Sequence, residues 1–138
     1  MAVEIDIVYE GDLRCVATHG PSRNTLPTDA PLDNGGRGTA FSPTDLVATG
    51  LATCIVTVMG LAAKRAGVNM DGTLAHVTKE MTKSGQRRIA QLKVTVTVAG
   101  GKMLSQEQRA LLERAAHTCP VKQSLHPDVS IVIRILYE

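Results

Sequence analysis

One stretch, 42–67, constrains the fold of this 138-residue chain more than any other. It has no charged residue between Asp45 and Lys64, and both of its ends carry helix signals. A serine that can cap the first turn precedes Pro43, which suits the first helical position, and Gly67 is a frequent type of helix stop. Because an uncharged helix has no face suited to water, we predict a long central helix that is buried around almost its whole circumference.

An uncharged run of this length also resembles a membrane span, which needs about 20 apolar residues. Here the run is slightly short, contains three Thr and two Gly, and lacks flanking Trp or Tyr. The N-terminus MAVEIDIVYE has no basic region followed by an apolar block, so no signal peptide is predicted. Three cysteines without an export signal favour a reducing compartment. We therefore expect a soluble, cytoplasmic protein with no membrane partner.

The composition is that of an ordinary globular protein. Hydrophobic residues make up 43% of the chain and charged residues 20%, and we expect a single domain over 1–138. The formal net charge is +2 without a basic run, and the chain has one Phe, two Tyr and no Trp. These values do not favour a nucleic-acid partner, which requires a basic patch and usually stacking aromatics.

Alternating apolar residues predict strands on both sides of the central helix. The predicted strands are 3–10, 13–19, 24–26, 72–81, 89–98 and 129–137, with a long loop over 20–41. A helix opened by Ser105, with Gln108 completing a capping box, and a short helix over 120–125 precede the last strand. This order favours an α+β fold with antiparallel sheets, in which the first strand is half-buried.

The central helix also predicts an assembly. A single chain of this size cannot easily cover such a helix on every side. Gly and Thr residues on one face permit a close approach of two backbones, so the simplest cover is a second copy across a two-fold axis. From burial alone we therefore expect a homodimer.

Two of the three cysteines stand out by their positions. Cys54 lies in the middle of the central helix, where apolar neighbours would raise the pKa of its thiol and make it inert. Cys119 lies at a helix break beside Pro120, where free N–H groups and the helix dipole favour a thiolate. Two buried core cysteines are an equally good interpretation of these facts. Cys15, on the second strand, is expected to be a packing residue.

The segments ATCIVTVMG and HTCPVKQSL contain these two cysteines, and a Gly/Pro-rich loop ending in SPTDL precedes the first. Together with the element order, this combination resembles the OsmC/Ohr family over nearly the whole chain. The family comprises osmotically inducible protein C-like and organic hydroperoxide resistance proteins. The resemblance implies the OsmC-like fold and an intertwined homodimer with two sites at its interface. It also implies that Cys54 is the peroxidatic cysteine and Cys119 the resolving one.

The activity implied by the resemblance is reduction of organic hydroperoxides during oxidative stress. A Cys54 thiolate would attack the peroxide and become a sulfenic acid, and Cys119 would convert it to a disulfide. An external dithiol, often dihydrolipoamide in related peroxidases, would reduce that disulfide, and no cofactor is implied. An apolar helix around the thiol suits organic hydroperoxides better than hydrogen peroxide, because an alkyl group gains from burial.

One position departs from the family pattern. Well-known members have a Glu after the helix-opening proline, and it holds an Arg against the reactive thiol. This chain has Thr44 there, and the acid is displaced to Asp45. Asp45 and Cys54 are nine residues apart on opposite sides of the helix wheel, so direct contact is not expected. Because an apolar thiol needs a cation to ionise, Arg37 in the GGRG loop and Arg14 are the candidate activating residues.

Other interpretations remain open at this stage. Arg37 is equally well explained as a solvated loop charge. Cys54, Cys119, His117 and His126 offer zinc-ligand chemistry, but they lack CxxC or HxxxH spacing, so we predict no metal site. The main alternative to the enzyme is a non-catalytic OsmC-like dimer that binds a small apolar ligand or senses oxidation.

Overall fold

The computed structural model describes the whole chain, Met1–Glu138, which separates into two compact units, Met1–Val47 and Ala48–Glu138. The strands are β1 (Ile5–Gly11), β2 (Arg14–His19), β3 (Thr25–Asp29), β4 (Leu74–Met81), β5 (Ile89–Val98) and β6 (Ser130–Tyr137). The helices are α1 (Pro43–Arg65), α2 (Gln106–Ala116) and α3 (Pro120–Ser124). This α+β fold and its element order confirm the prediction from sequence.

The first unit contains an antiparallel sheet in the order β1-β2-β3. Its third strand and a 3₁₀ turn at Leu32–Asn34 lie within the segment predicted to be mainly loop. The loop is fastened at Asp29, a buried carboxylate whose Oδ2 accepts hydrogen bonds from the Thr39 N–H at 3.1 Å and the Thr39 hydroxyl at 2.7 Å. These hydrogen bonds lower the pKa of Asp29.

Strand β1 differs from the expectation of a half-buried strand. Every residue of β1 except its last is exposed, including Ile5, Ile7, Val8 and Tyr9, which are 57–65% exposed. The predicted alternation exists in the sequence, but no element of the first unit covers either face of this strand. An exposed strand with apolar residues on both faces is a surface suited to pairing or packing with another chain.

The second unit is built on a sheet in the order β4-β5-β6. Four apolar residues on one face of the central strand, Leu92, Val94, Val96 and Val98, are completely buried, as the sequence predicts. The pairing of β5 with β6 is parallel, whereas antiparallel sheets were expected. The reason is that α2 and α3 connect these two strands, and a helical crossover returns the chain in the same direction.

Helix α1 begins in the predicted way. Ser42 Oγ accepts the Asp45 N–H at 3.1 Å, and Asp45 Oδ2 accepts the Ser42 N–H at 2.9 Å, which is a reciprocal cap. The helix ends at Arg65, and the following Gly67 has a φ of 71°. The helix therefore forms where the sequence predicts it, and each of its ends lies within two residues of the predicted end.

The burial of α1 is one-sided within this chain. One stripe is buried in the core of the second unit: Ala48, Leu51, Ala52, Ile55, Met59 and Ala63. Thr53, Thr57 and Leu61 are exposed. The length and composition of the helix would suit a membrane span, and 33% of its most apolar 18-residue segment is buried within the chain. The expected burial around almost the whole circumference is thus not reached by one chain. We interpret α1 as the core helix of a soluble protein.

Helix α2 is held in place by a cap at its start and by the contacts of Arg109. Ser105 and Gln108 form the predicted capping box. Arg109 donates to the Gly101 carbonyl at 3.1 Å and stacks over the Tyr137 ring at 4.5 Å, and the Tyr137 hydroxyl donates to the Arg109 carbonyl at 3.2 Å. Burial, followed by the nearby carboxylate of Glu113, raises the pKa of Tyr137 to about 12. These contacts fix the helix that leads to Cys119.

Replacing Ser105 with alanine removes the hydroxyl that accepts the Gln108 N–H at the start of α2. We expect Ser105→Ala to lower the free energy of unfolding by about 1 kcal/mol, the usual cost of a lost N-cap. Urea denaturation followed by circular dichroism measures the change. Gln106→Ala, at an exposed position in the same turn, is the matched control. Equal stabilities for the two variants would contradict the capping role.

Candidate active site

The structure brings Cys54 and Cys119 together. The two side chains are near enough for Cys54 to contribute to the raised pKa of the Cys119 thiol, although 65 positions separate them in the sequence. Cys54 lies in the middle of α1, and Cys119 stands at the turn between α2 and α3, both within the second unit. All three cysteines are free. Two neighbouring thiols on separate helices are a candidate pair for a disulfide.

Cys119 is the N-cap of α3, next to Pro120 at the first helical position. Its sulfur accepts the backbone N–H of Lys122 at 3.4 Å. The side chain is completely buried, and burial raises the pKa of the Cys119 thiol, as does the contact with Cys54. The backbone N–H groups of Lys122 and Val121 act in the opposite direction but do not outweigh these effects. The expectation that helix N–H groups make Cys119 a thiolate is therefore wrong, because desolvation is the larger effect.

Cys54 has the more open environment of the two. It is half-buried, whereas the sequence predicted an apolar, buried thiol in the middle of the helix. The reason is the one-sided burial of α1: Cys54 lies beside the buried stripe rather than within it. The arrangement pairs one accessible thiol with one thiol that is protected from solvent.

A cleft of about 290 Å³ lies between α1 and α2, lined by residues that are near the two cysteines in the sequence but by neither cysteine itself. Val58, one helical turn after Cys54, and Thr118, which precedes Cys119, both line it. The remaining lining is mainly apolar: Leu61, Ala62, Leu111 and Ala115, with Arg65 and Arg114. A cleft with this lining suits an organic molecule with an alkyl or aryl group.

The candidate activating residues belong to the first unit, and their recorded contacts are there. Arg37 forms an ion pair with Asp12 at 2.9 Å, and both side chains are about two-thirds exposed. Arg14 lies opposite Asp29 in the β2–β3 ladder and helps to lower the pKa of that carboxylate. The Asp45 carboxylate takes part in the cap of α1. Activation of Cys54 by Arg14, Arg37 or Asp45 stays a prediction.

Other residues singled out by sequence have simpler surroundings. Cys15 is half-buried on β2, opposite Tyr9 and Thr28. His117 is the exposed C-cap of α2, and its Nδ1 lies 3.4 Å from Lys122 Nζ. No group of three or more His, Cys, Asp or Glu residues is arranged to hold a metal ion. Sequence reasoning missed the buried Asp29, because the Gly/Pro-rich segment that contains it shows no hydrophobic periodicity.

The geometry defines a class of protein: an α+β fold with a pair of interacting cysteines, one on a long apolar helix and one at a helix N-terminus. The family model described as OsmC-like protein matches residues 36–134. The chain belongs to the OsmC-like family, which confirms the resemblance found from the sequence. No protein among the curated sequences matches the chain significantly.

Solved structures with the same fold agree with this assignment. A Psychrobacter arcticus protein, described as an osmotic stress induced and detoxification response protein, is 40% identical over 95% of this chain and 93% of its own, with a TM-score of 0.88. OhrB, the organic hydroperoxide resistance protein of Bacillus subtilis, is 20% identical over 98% of both chains, with a TM-score of 0.70. A Vibrio cholerae protein described as an organic hydroperoxide resistance protein, with captopril in one of its active sites, is 22% identical over 98% of this chain and 91% of its own, with a TM-score of 0.76.

The proximity of the two thiols predicts the product of mild oxidation. Treatment with diamide is expected to give an intramolecular Cys54–Cys119 disulfide with no change in secondary structure, because the two thiols are neighbours in the same compact unit. Peptide mapping by mass spectrometry identifies the bond, and a dithiol reverses it. Cys15→Ser serves as the control and should form the same disulfide. A disulfide that involves Cys15, or one that forms only between chains, would contradict the geometry.

Proposed function

We propose that this protein is a cysteine-based peroxidase that reduces organic hydroperoxides in the cytoplasm. The observation that carries the proposal is the proximity of the half-buried Cys54 to the fully buried Cys119. Membership of the OsmC-like family supports it, as do structural neighbours that are organic hydroperoxide resistance proteins. Two cysteines that served only as packing residues would have no need of one accessible sulfur.

The exposure of the two sulfurs supports the following order of reaction. The Cys54 thiolate attacks one peroxide oxygen, the O–O bond breaks, and the alcohol leaves after taking a proton from solvent that reaches this half-buried site. Cys54 is now a sulfenic acid. The neighbouring Cys119 sulfur attacks the Cys54 sulfur and releases water, which gives the disulfide. Reduction by an external dithiol restores both thiols, and a lipoyl dithiol is one reductant of this type.

Organic hydroperoxides are the proposed substrates because of the apolar cleft beside the thiols. The alkyl or aryl part of such a molecule gains free energy when the cleft removes it from water, at about 25 cal/mol per Å². Hydrogen peroxide has no apolar part and gains nothing from the same surface. The cleft thus favours larger peroxides without any hydrogen bond specific to one substrate.

We also propose that the active assembly is a homodimer. Within one chain, α1 leaves Thr53, Thr57 and Leu61 exposed, and β1 leaves apolar side chains exposed on both faces. A groove of about 380 Å³ between α1 and β4 offers a further apolar surface on the same helix. A second copy of the chain would remove these surfaces from water, in an intertwined arrangement of the kind that the family resemblance implies.

Activity tests the roles of the cysteines. Cys54→Ser is expected to abolish the consumption of tert-butyl hydroperoxide with a dithiol, because the hydroxyl cannot form a sulfenic acid. Cys15→Ser should keep the activity within about twofold, since Cys15 lies outside the thiol pair. Wild-type protein should reduce tert-butyl hydroperoxide faster than hydrogen peroxide.

The same assay separates the alternatives. A sensor of oxidation would consume one equivalent of peroxide and stop despite excess dithiol, and a ligand-binding protein would consume none. Sustained turnover by the Cys54→Ser variant would show that another residue is the nucleophile.

Size-exclusion chromatography with light scattering tests the assembly. A dimer is expected at micromolar concentration. Charged replacements on the exposed face of α1, Thr53→Lys with Thr57→Lys, should produce monomer or insoluble protein, because they bury charges at the proposed interface. Lys102→Glu, at an exposed position of the 3₁₀ turn Gly101–Met103, is the control and should leave the dimer intact. A folded wild-type monomer at this concentration would rule out the dimer.

A further inference from the structure

The cleft between α1 and α2 continues the face of α1 that carries Cys54. Val58, Leu61 and Arg65 follow Cys54 by four, seven and eleven positions, which places them on one stripe of the helix at about 100° per residue. All three line the cleft. Among them, only Leu61 also belongs to the face proposed for the second copy. A molecule in the cleft therefore lies along the stripe of α1 that leads to the half-buried thiol.

Two cations interrupt the apolar lining of this cleft. Arg65 comes from the last turn of α1 and Arg114 from the last turn of α2. Both side chains are exposed, and neither guanidinium is paired with a carboxylate of the chain. Glu113, the acid next to Arg114 in the sequence, interacts with Tyr137 instead. Two unpaired guanidinium groups at one small cleft suit a carboxylate, because their N–H donors match its two oxygens.

The position of Arg65 on α1 sets it apart from the thiol. Eleven residues of helix span about 16 Å along the axis, which is too far for the close contact that would stabilise a thiolate at Cys54. Side chains on a helix lean toward its N-terminus, so the Arg65 guanidinium reaches back along the cleft. A chain of eight carbons, roughly 9 Å long when extended, covers a gap of this order. Arg65 thus suits the end of a substrate that lies opposite its peroxide.

We propose that Arg65 and Arg114 bind the carboxylate of an amphipathic hydroperoxide, which has a carboxylate at one end of an apolar chain and the peroxide at the other. This inference deepens the proposed function and rests on it for the reaction at Cys54. The apolar lining removes the chain from water, and the carboxylate fixes which end of the molecule approaches Cys54. A neutral hydroperoxide gains the first contribution but not the second.

The test compares acids with their matched esters. Octanoate and methyl octanoate are the binding probes, titrated into the protein and followed by NMR. The substrates are 8-hydroperoxyoctanoate and its methyl ester, assayed with excess dithiol. The variants are Arg65→Gln, Arg114→Gln and the double variant, which remove the charge but keep a polar side chain. Lys64→Gln is the matched control, because it removes an exposed cation from the same last turn of α1 at a position outside the cleft.

We expect wild-type protein to bind octanoate about tenfold more tightly than methyl octanoate, and each single variant to lose about threefold of this preference. The double variant should bind acid and ester equally. Its KM for the peroxide acid should rise about tenfold with little change in kcat, because the carboxylate is bound alike in the ground state and the transition state. Values for the ester, and for Lys64→Gln, should stay within about twofold of wild type. A double variant that keeps the preference, or a Lys64→Gln variant that loses it, would overturn the proposal.

The binding probes contain no peroxide, so the two proposals fail in different ways. If no protein turns over a hydroperoxide but the double variant loses its preference for octanoate, the carboxylate site stands and the peroxidase function falls. If all proteins reduce both hydroperoxides with the same kinetics and bind both probes equally, the function stands and the carboxylate site falls. Both arginines are exposed, so the glutamine variants are expected to fold, which circular dichroism verifies.

Discussion

The rest of the structure depends on the burial of helix α1, which has no charge between Asp45 and Lys64. Its buried stripe shares the core of the second unit with the apolar face of β5 and with Leu112 of α2. The helix has more apolar surface than one chain covers, and this excess is the physical basis for the proposed dimer. The reciprocal cap of Ser42 and Asp45 starts the helix, but packing provides most of its stability.

The same one-sided burial creates the difference between the two thiols. Cys54 lies at the edge of the buried stripe and is half-exposed, while the turn after α2 places Cys119 completely inside. A pair in which one sulfur is accessible and the other is protected has a defined order of reaction. Packing thus gives the two cysteines different surroundings.

The start of α1 departs from the family pattern at Thr44. In an apolar environment a thiolate needs compensation, and a cation held by an acid is one source of it. Here the acid at Asp45 takes part in the helix cap, and Arg37 is paired with Asp12 at an exposed position of the first unit.

Local signals in the sequence determined the boundaries of α1, the buried face of β5 and the capping box of Ser105, because each depends on residues close in the chain. The chemical type of the site also came from the sequence, but the partnership of Cys54 with Cys119 rested on family resemblance rather than on the residues themselves. Only the tertiary structure decided that β6 runs parallel to β5, that β1 is exposed within its own unit, and that Cys119 is the buried thiol. These features depend on contacts between segments far apart in sequence, and for Cys119 desolvation by those contacts outweighs the local helix N–H groups.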